Sequence, residues 1–524
     1  MVEVPTWFLK RQIITLLSSL SVPDSVFARM QESMICKLNE MLVDTDVAFE
    51  VLTTSCAEQG NTAAMMLSAG FKPQTEPHLK AMLSCIRSAQ LGDLLAKTRI
   101  FVPKGRWLMG CLDELGVLEH GQCFIQMSSP SLQNCFIKHG TRFSGTKMNR
   151  QVIVGAVVIA KNPCLHPGDV RILEAVDVPG LHQLVDCLVF PQKGDRPHAN
   201  EASGSDLDGD LYFVTWDGDL IPPGKKSWVP MDYTAAEAKQ LPRTVSPQDI
   251  IDFFLKNMVN ENLGVICNAH VVHADLSEYG AMDEKCLQLA ELAATATQAL
   301  PDFMGKDDHM SYKSEKILGQ LYREIRDASC DDPSSSSSAA QACSWEDVSY
   351  DTDLEVPGAS DYLFDAWNCK CAYDGQLNAL LGQYKVCSEG EVVTGHIWSM
   401  PKNNSRKQGE LKERLKNAYT ALRKEFRNVF ETAGPDFNEL SDDEKSVWYE
   451  QKASAWYQVT YHPKWLRKSC EMRELEGEVV PTRLSFAWIA ADYLVRIKVR
   501  CQDKSKLNQQ RPVDALAVYL SDRI

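Results

Sequence analysis

Asp206, Asp208 and Asp210 stand at alternate positions in Asp206-Leu207-Asp208-Gly209-Asp210, and the strand-like run Leu211-Tyr212-Phe213-Val214 follows at once. Three negative charges so close together repel one another unless a cation neutralises them. Hard divalent ions with all-oxygen ligands suit that role, Mg²⁺ first and Mn²⁺ in its place. Gly209 opens backbone conformations closed to other residues, so the three side chains can converge on one point. The stretch reads as a metal-binding catalytic loop set on a strand.

The bland alternative is a solvated acidic turn. Two other loops of similar composition fail on spacing. An EF-hand needs Asp-x-Asp-x-Asp-Gly and a later acid, yet Leu211 stands where that glycine belongs. A phosphatase of the Asp-x-Asp nucleophile type needs a buried apolar strand before the first Asp. Asn200-Glu201-Ala202-Ser203-Gly204 stands there instead.

The rest of the chain alternates between helical and strand-like patterning. Residues 1–95 read mainly as helices, with helix-like apolar spacing from Ser25 to Leu42. Over 96–240 short β-rich runs take over: Ile100–Val102, Gln122–Met127, Gln151–Ile159, Val185–Phe190 and Leu211–Trp216. Such spacing suits a compact barrel, with the acidic loop between two strands, where chemistry tends to sit. Residues 241–326 turn helical, with Ser246 as a cap and Ile250, Ile251, Phe253 and Phe254 on one amphipathic face. Residues 327–359, with Ser334 to Ser338 and eight acidic residues, read as a disordered linker. Residues 360–524 are mainly helical. The fold class is α+β.

At 524 residues and 44% hydrophobic content the chain is an ordinary globular sequence with several cores. Its formal charge of −15 argues against binding nucleic acid through net charge, so any RNA contact needs a local patch. The 17 cysteines form no CxxC pair, which fits reduced thiols and a protein that is not secreted. No apolar run reaches the roughly 20 residues of a membrane span. The local patch is Lys402–Arg427, with nine Lys or Arg against Glu410, Glu413 and Glu425. Leu411, Leu415, Leu422, Phe426 and Val429 line one face of a helix through it. Either a solvated helix face or a phosphate-tracking surface accounts for it. Arg171 reads equally as a structural ion-pair partner or a phosphate contact, and His166, His198 and His270 lack metal-ligand spacing. Trp488 and Tyr493 read as core.

The acidic loop resembles the catalytic signature of the eukaryotic RNA-dependent RNA polymerases of gene silencing. Collinear stretches carry the likeness further: Lys161-Asn162-Pro163-Cys164-Leu165-His166-Pro167-Gly168-Asp169-Val170-Arg171, Asn268-Ala269-His270, Thr394-Gly395-His396-Ile397-Trp398 and Ser485-Phe486-Ala487-Trp488. The last two are similar to the plant type-six member. The resemblance implies a double-psi β-barrel over 96–240, a helical neck over 241–326 and a helical head over 360–524. It implies Asp206, Asp208 and Asp210 as catalytic metal ligands. Lys161, Arg171, Lys193, Lys402 and the basic pair in Ser405-Arg406-Lys407 become contacts to RNA or nucleotide phosphates. Single-stranded RNA and nucleoside triphosphates would be substrates and double-stranded RNA the product, with silencing-pathway proteins as partners in nucleus or cytoplasm. Two departures stand out. The family carries an earlier barrel for which this chain has no room, and the family's sequence continues differently after Ala296. A catalytically incomplete RNA- or partner-binding fragment is therefore the alternative.

Overall fold

The computed structural model describes residues 8–55, 61–129, 149–234, 242–259, 262–294, 316–330, 348–401, 405–432, 440–475 and 483–508. They fall into two compact units. The first holds the described residues of Met1–Ile35, Asp93–Ser129 and Met148–Cys330, and the second those of Cys36–Gly92 and Asp331–Ile524. The described part of the helical stretch 1–95 is divided between them.

The first unit is built on strands β1 (Phe8–Leu9), β2 (Ile100–Phe101), β3 (Gly105–Leu112), β4 (Gln122–Ser129), β5 (Asn149–Val152), β6 (Gly155–Lys161), β7 (Arg171–Ala175), β8 (Cys187–Phe190) and β9 (Leu211–Thr215). β1 and β2 form a small antiparallel pair. The others close on themselves in the order β4–β7–β6–β9–β3–β8 and back to β4, with β5 outside on β4. Two contacts in this ring are parallel, β3 with β8 and β4 with β7, and the rest are antiparallel. The halves β3–β4–β6 and β7–β8–β9 occupy equivalent places, each lending a strand to the other's parallel pair. That interlock is a double-psi β-barrel.

Alternation along the strands fills the barrel. Val157 and Ile159 of β6, Leu188 and Phe190 of β8, and Tyr212 and Val214 of β9 meet in one buried cluster. Val158 and Ala160 are buried too, so β6 is covered on both faces. The run Gln151–Ile159, expected as one strand, breaks at Ile153–Val154, where Gly155 takes φ +108°. β3 and β7 escaped pattern reading because Arg106, Gly110, Arg171 and Glu174 interrupt their apolar character.

The second unit packs the helices Leu363–Tyr384, Ser405–Glu431, Asp442–Tyr461 and Ala491–Asn508 around buried aromatics. Trp456 stacks on Phe486 at 4.2 Å, and the Trp488 indole donates to the Tyr461 hydroxyl at 2.7 Å. Trp488 and Tyr493 are core residues, as their setting suggested. The expected disordered linker over 327–359 does not hold at its ends. Residues 327–330 close the helix Ile317–Cys330. Residues 348–359 form 3₁₀ turns that bury Leu354 and Ala359, and Leu354 accepts a bond from Ser454 Oγ at 2.7 Å. Residues 331–347, with the serine run, lie outside the described residues. Among the described residues no helix is long and apolar enough to cross a membrane.

Candidate metal centre

The acidic loop links the short helix His198–Glu201 to β9. Its base is buried and hydrogen-bonded. Ser205 Oγ donates toward the Ala199 carbonyl at 2.5 Å and lies 2.8 Å from the Tyr212 hydroxyl. That hydroxyl donates to the Asp206 carbonyl at 3.0 Å, tying both ends of the loop together. Burial holds the Tyr212 phenol up at about 12, so it remains a donor.

The loop is also pinned from below. Leu207 turns inward and packs on the barrel cluster. Room for it comes from Gly110 on β3, where a Cβ would lie 2.5 Å from the Tyr212 ring and 2.9 Å from Leu207 Cδ2. The Gly110 amide donates to the Asp210 carbonyl at 3.0 Å. Gly209 takes φ +121°, a conformation unfavourable for other residues, and lets the chain turn between Asp208 and Asp210.

With Leu207 half-buried against the barrel cluster, the alternating Asp206, Asp208 and Asp210 lie on the other side of the loop. Each can offer one carboxylate oxygen such that all lie within 4.8 Å of one another. No other group of three or more His, Cys, Asp or Glu meets that condition among the described residues. The crowding has an electrostatic signature. Hydrogen bonding with Asp206 and its negative charge hold the Asp208 carboxyl above the usual range, with Asp210 adding to the effect. One ammonium offsets the three carboxylates: Lys161, the last residue of β6, stands opposite Tyr212 in the strand register and pairs with Asp210. Three oxygen donors with this excess of negative charge fit a hard divalent cation.

Among the described residues, Lys161 alone of the expected phosphate contacts is brought to the triad. Arg171 requires a correction, because it is buried and turned inward. Its guanidinium pairs with Glu201 at 3.0 Å and donates to the Trp228 carbonyl at 2.8 Å. Glu201 in turn accepts from His198 Nδ1 at 2.6 Å, and His198 Nε2 accepts from the Gly121 amide at 2.9 Å. His198 is thus a satisfied core residue whose neutral tautomer is set by its partners. Lys193 pairs on the surface with Glu119. Lys402 and the side chains of Arg406 and Lys407 lie outside the described residues.

Sequence reading missed Ser205, Tyr212, Leu207 and Gly110 as parts of the site. The alternation of acids with Leu207 was the available signal for the inward pin. Nothing in the sequence near Gly110 points to a loop nearly a hundred residues away.

The profile of the family described as RNA dependent RNA polymerase matches residues 2–325, and that of the RdRP head domain matches 349–519. The head match begins earlier than the boundary at 360 read from the sequence. The chain is similar to the probable RNA-dependent RNA polymerase SHL2 of Oryza sativa subsp. japonica, at 67% identity over 545 residues. That alignment covers 100% of this chain and 44% of the relative. It is 62% identical to RNA-dependent RNA polymerase 6 of Arabidopsis thaliana, covering 100% of this chain and 45% of that one. The solved structure of RNA dependent RNA polymerase QDE-1 from Thielavia terrestris aligns with a TM-score of 0.45 and 17% identity, over 98% of this chain and 59% of that one. The chain spans under half the length of these curated relatives. By its matched profiles it belongs to the RNA-dependent RNA polymerase family.

Proposed function

We propose that this chain is the catalytic part of a polymerase that copies single-stranded RNA into double-stranded RNA from nucleoside triphosphates, for small-RNA gene silencing in nucleus or cytoplasm. The observation that carries the reading is the convergence of Asp206, Asp208 and Asp210 on one side of a double-psi barrel. Mg²⁺ is the ion proposed for them, with Mn²⁺ as its substitute. When bound, the metal would favour ionisation of an RNA 3′-hydroxyl and offset charge on the triphosphate. The chain's own residues supply placement. Leu207, Gly110 and the Ser205–Tyr212 hydroxyl pair hold the carboxylates before substrate arrives, so little reorganisation is left for the reaction. Lys161 fixes Asp210 and brings a positive charge to a site whose substrates are polyanions.

The test is labelled-nucleotide incorporation on single-stranded RNA with Mg²⁺, beside Asp208→Ala. Incorporation by the parent chain alone supports the proposal. A folded parent that binds divalent ions but incorporates nothing supports a second reading, favoured by the short span against the relatives. In that reading the chain keeps the metal site and binds RNA or a partner without polymerising by itself.

A further inference from the structure

The sequence holds 17 cysteines and no CxxC pair, yet the barrel brings two of them together. β3 and β8 run parallel with Met109 opposite Cys187, so Cys111, two residues on, is the diagonal neighbour of Cys187. Alternation puts Leu108, Leu188 and Phe190 inside the barrel and both cysteines on its outer face. Cys187 is buried there among Leu118, Phe124, Leu181 and Val189, and the half-buried Cys111 packs against that cluster. The two free thiols are hydrogen-bonded to each other. The bond acts unequally. It holds the Cys111 thiol down at about 7, and it pushes the Cys187 thiol up, with burial adding to the rise. A cysteine that merely fills space is inert, its thiol pushed up by burial, as at Cys123 and Cys286. Cys111 departs from that pattern: it has the thiolate character and the access of an attacking group.

We propose that Cys111 and Cys187 form a reversible oxidation site that takes hydrogen peroxide and closes to a disulfide. The Cys111 thiolate attacks one peroxide oxygen and the O–O bond breaks. The leaving hydroxide takes up the proton that Cys111 released and departs as water, and Cys111 is left as a sulfenic acid. The Cys187 sulfur then attacks that sulfur, the S–O bond breaks, and the hydroxide leaves with the Cys187 proton as a second water. Two thiols lose two electrons and the peroxide gains them. Diagonal neighbours on adjoining strands stand roughly 7–8 Å apart, at the upper limit of a disulfide's span, so the bridge draws β3 towards β8. Gly110 precedes Cys111 and moves with it, away from Leu207 and from the Asp210 carbonyl that its amide holds. Oxidation on the outer face thus loosens the acidic loop on the inner one.

The test treats the whole chain with hydrogen peroxide, blocks the remaining thiols by alkylation and maps bridged peptides by mass spectrometry. The expected product is a Cys111–Cys187 bridge that dithiothreitol reverses. Before oxidation, iodoacetamide should label Cys111 about tenfold or more faster than Cys187, because the thiolate is the reacting form. In Cys187→Ser, Cys111 should stop at a sulfenic acid that dimedone traps, and in Cys111→Ser, Cys187 should stay reduced. Hydrogen exchange of the Gly110 amide should quicken several-fold in the bridged chain. Peroxide that leaves both thiols reduced, or that bridges either one to another cysteine, would overturn the proposal. So would a parent chain in which Cys111 stops at the sulfenic acid. A bridge that leaves Gly110 exchange unchanged would overturn the link to the loop. The parent chain is read directly, so a variant that fails to fold does not remove the decision. No readout needs a bound metal or nucleotide incorporation, so a failed polymerase assay is a separate result.

Discussion

At Gly110 the barrel wall carries no side chain, and that gap decides where the carboxylates of Asp206, Asp208 and Asp210, far later in the chain, can stand. Gly110→Val should push Leu207 and Tyr212 outward, destabilising the chain by about 1–3 kcal/mol, the usual range for overpacking. Mn²⁺ affinity by calorimetry should fall at least tenfold in the same variant, because the carboxylates no longer converge. A second residue-scale device lies in the other unit. Glu76 is fully buried and accepts from the Tyr461 hydroxyl at 2.7 Å, and burial pushes its carboxyl up to about 8. Burial also pushes the nearby His78 down to about 4. The folded chain keeps the Glu76 proton that the unfolded chain releases, so this term is lost as pH rises towards 8. His78 acts oppositely: the unfolded chain gains a proton below 6.5 that the folded chain refuses, so stability falls as pH drops. The two oppose each other between 4.5 and 6.5, and Glu76 alone acts above that. Stability should therefore decline from neutral towards pH 8 by up to about 1.4 kcal/mol per pH unit. Glu76→Gln should abolish that decline and unmask the acid-side loss, as read by denaturation midpoints from about pH 5 to about pH 8.5.

The helix Ser405–Glu431 illustrates what a periodic pattern settles and what it leaves open. Leu415, Leu422 and Phe426 are buried, as their spacing requires. The stripe is completed by Tyr419 and Phe430, whereas Leu411 is half-buried and Val429 is exposed. The aromatic neighbours set this rotation: Phe426 packs edge-on to Tyr373 at 5.2 Å, and Phe430 lies against Trp456 at 5.0 Å. Charge alone could not identify Arg427 as different from the other basic residues of this helix. It makes two bonds to the Asp492 carboxylate at 2.7 and 2.9 Å, a third to the Ile489 carbonyl at 3.0 Å, and faces the Tyr493 ring. Arg427→Ala should destabilise the chain by roughly 3 kcal/mol, since Asp492 would be left with little solvent and no partner. Arg427→Lys should recover only part of that in thermal unfolding, because an ammonium cannot reproduce the fork.

For the molecule as a whole, a charge of −15 means that any RNA would have to meet local positive surface against a repelling field. Affinity for single-stranded RNA should fall steeply with salt, with a log–log slope of about −0.7 for each phosphate contacted. Replacing Lys412 and Lys424 by Glu should flatten that slope in a filter-binding titration. An unchanged slope would place the contacts elsewhere than this helix. By itself the sequence singled out residues 206–210 as a candidate metal site, because three acids alternating with a leucine and a glycine repel one another unless a cation neutralises them. It determined the strand-rich middle and the helical flanks as well, since their periodicities are local properties of the chain. Tertiary structure decided which charges serve the site. Lys161 reaches Asp210 because β6 pairs with β9, while Arg171, ten residues on, is drawn inward by Glu201. Barrel closure, the gap at Gly110 and the meeting of Cys111 with Cys187 arise from contacts distant in sequence, and no local pattern encodes them.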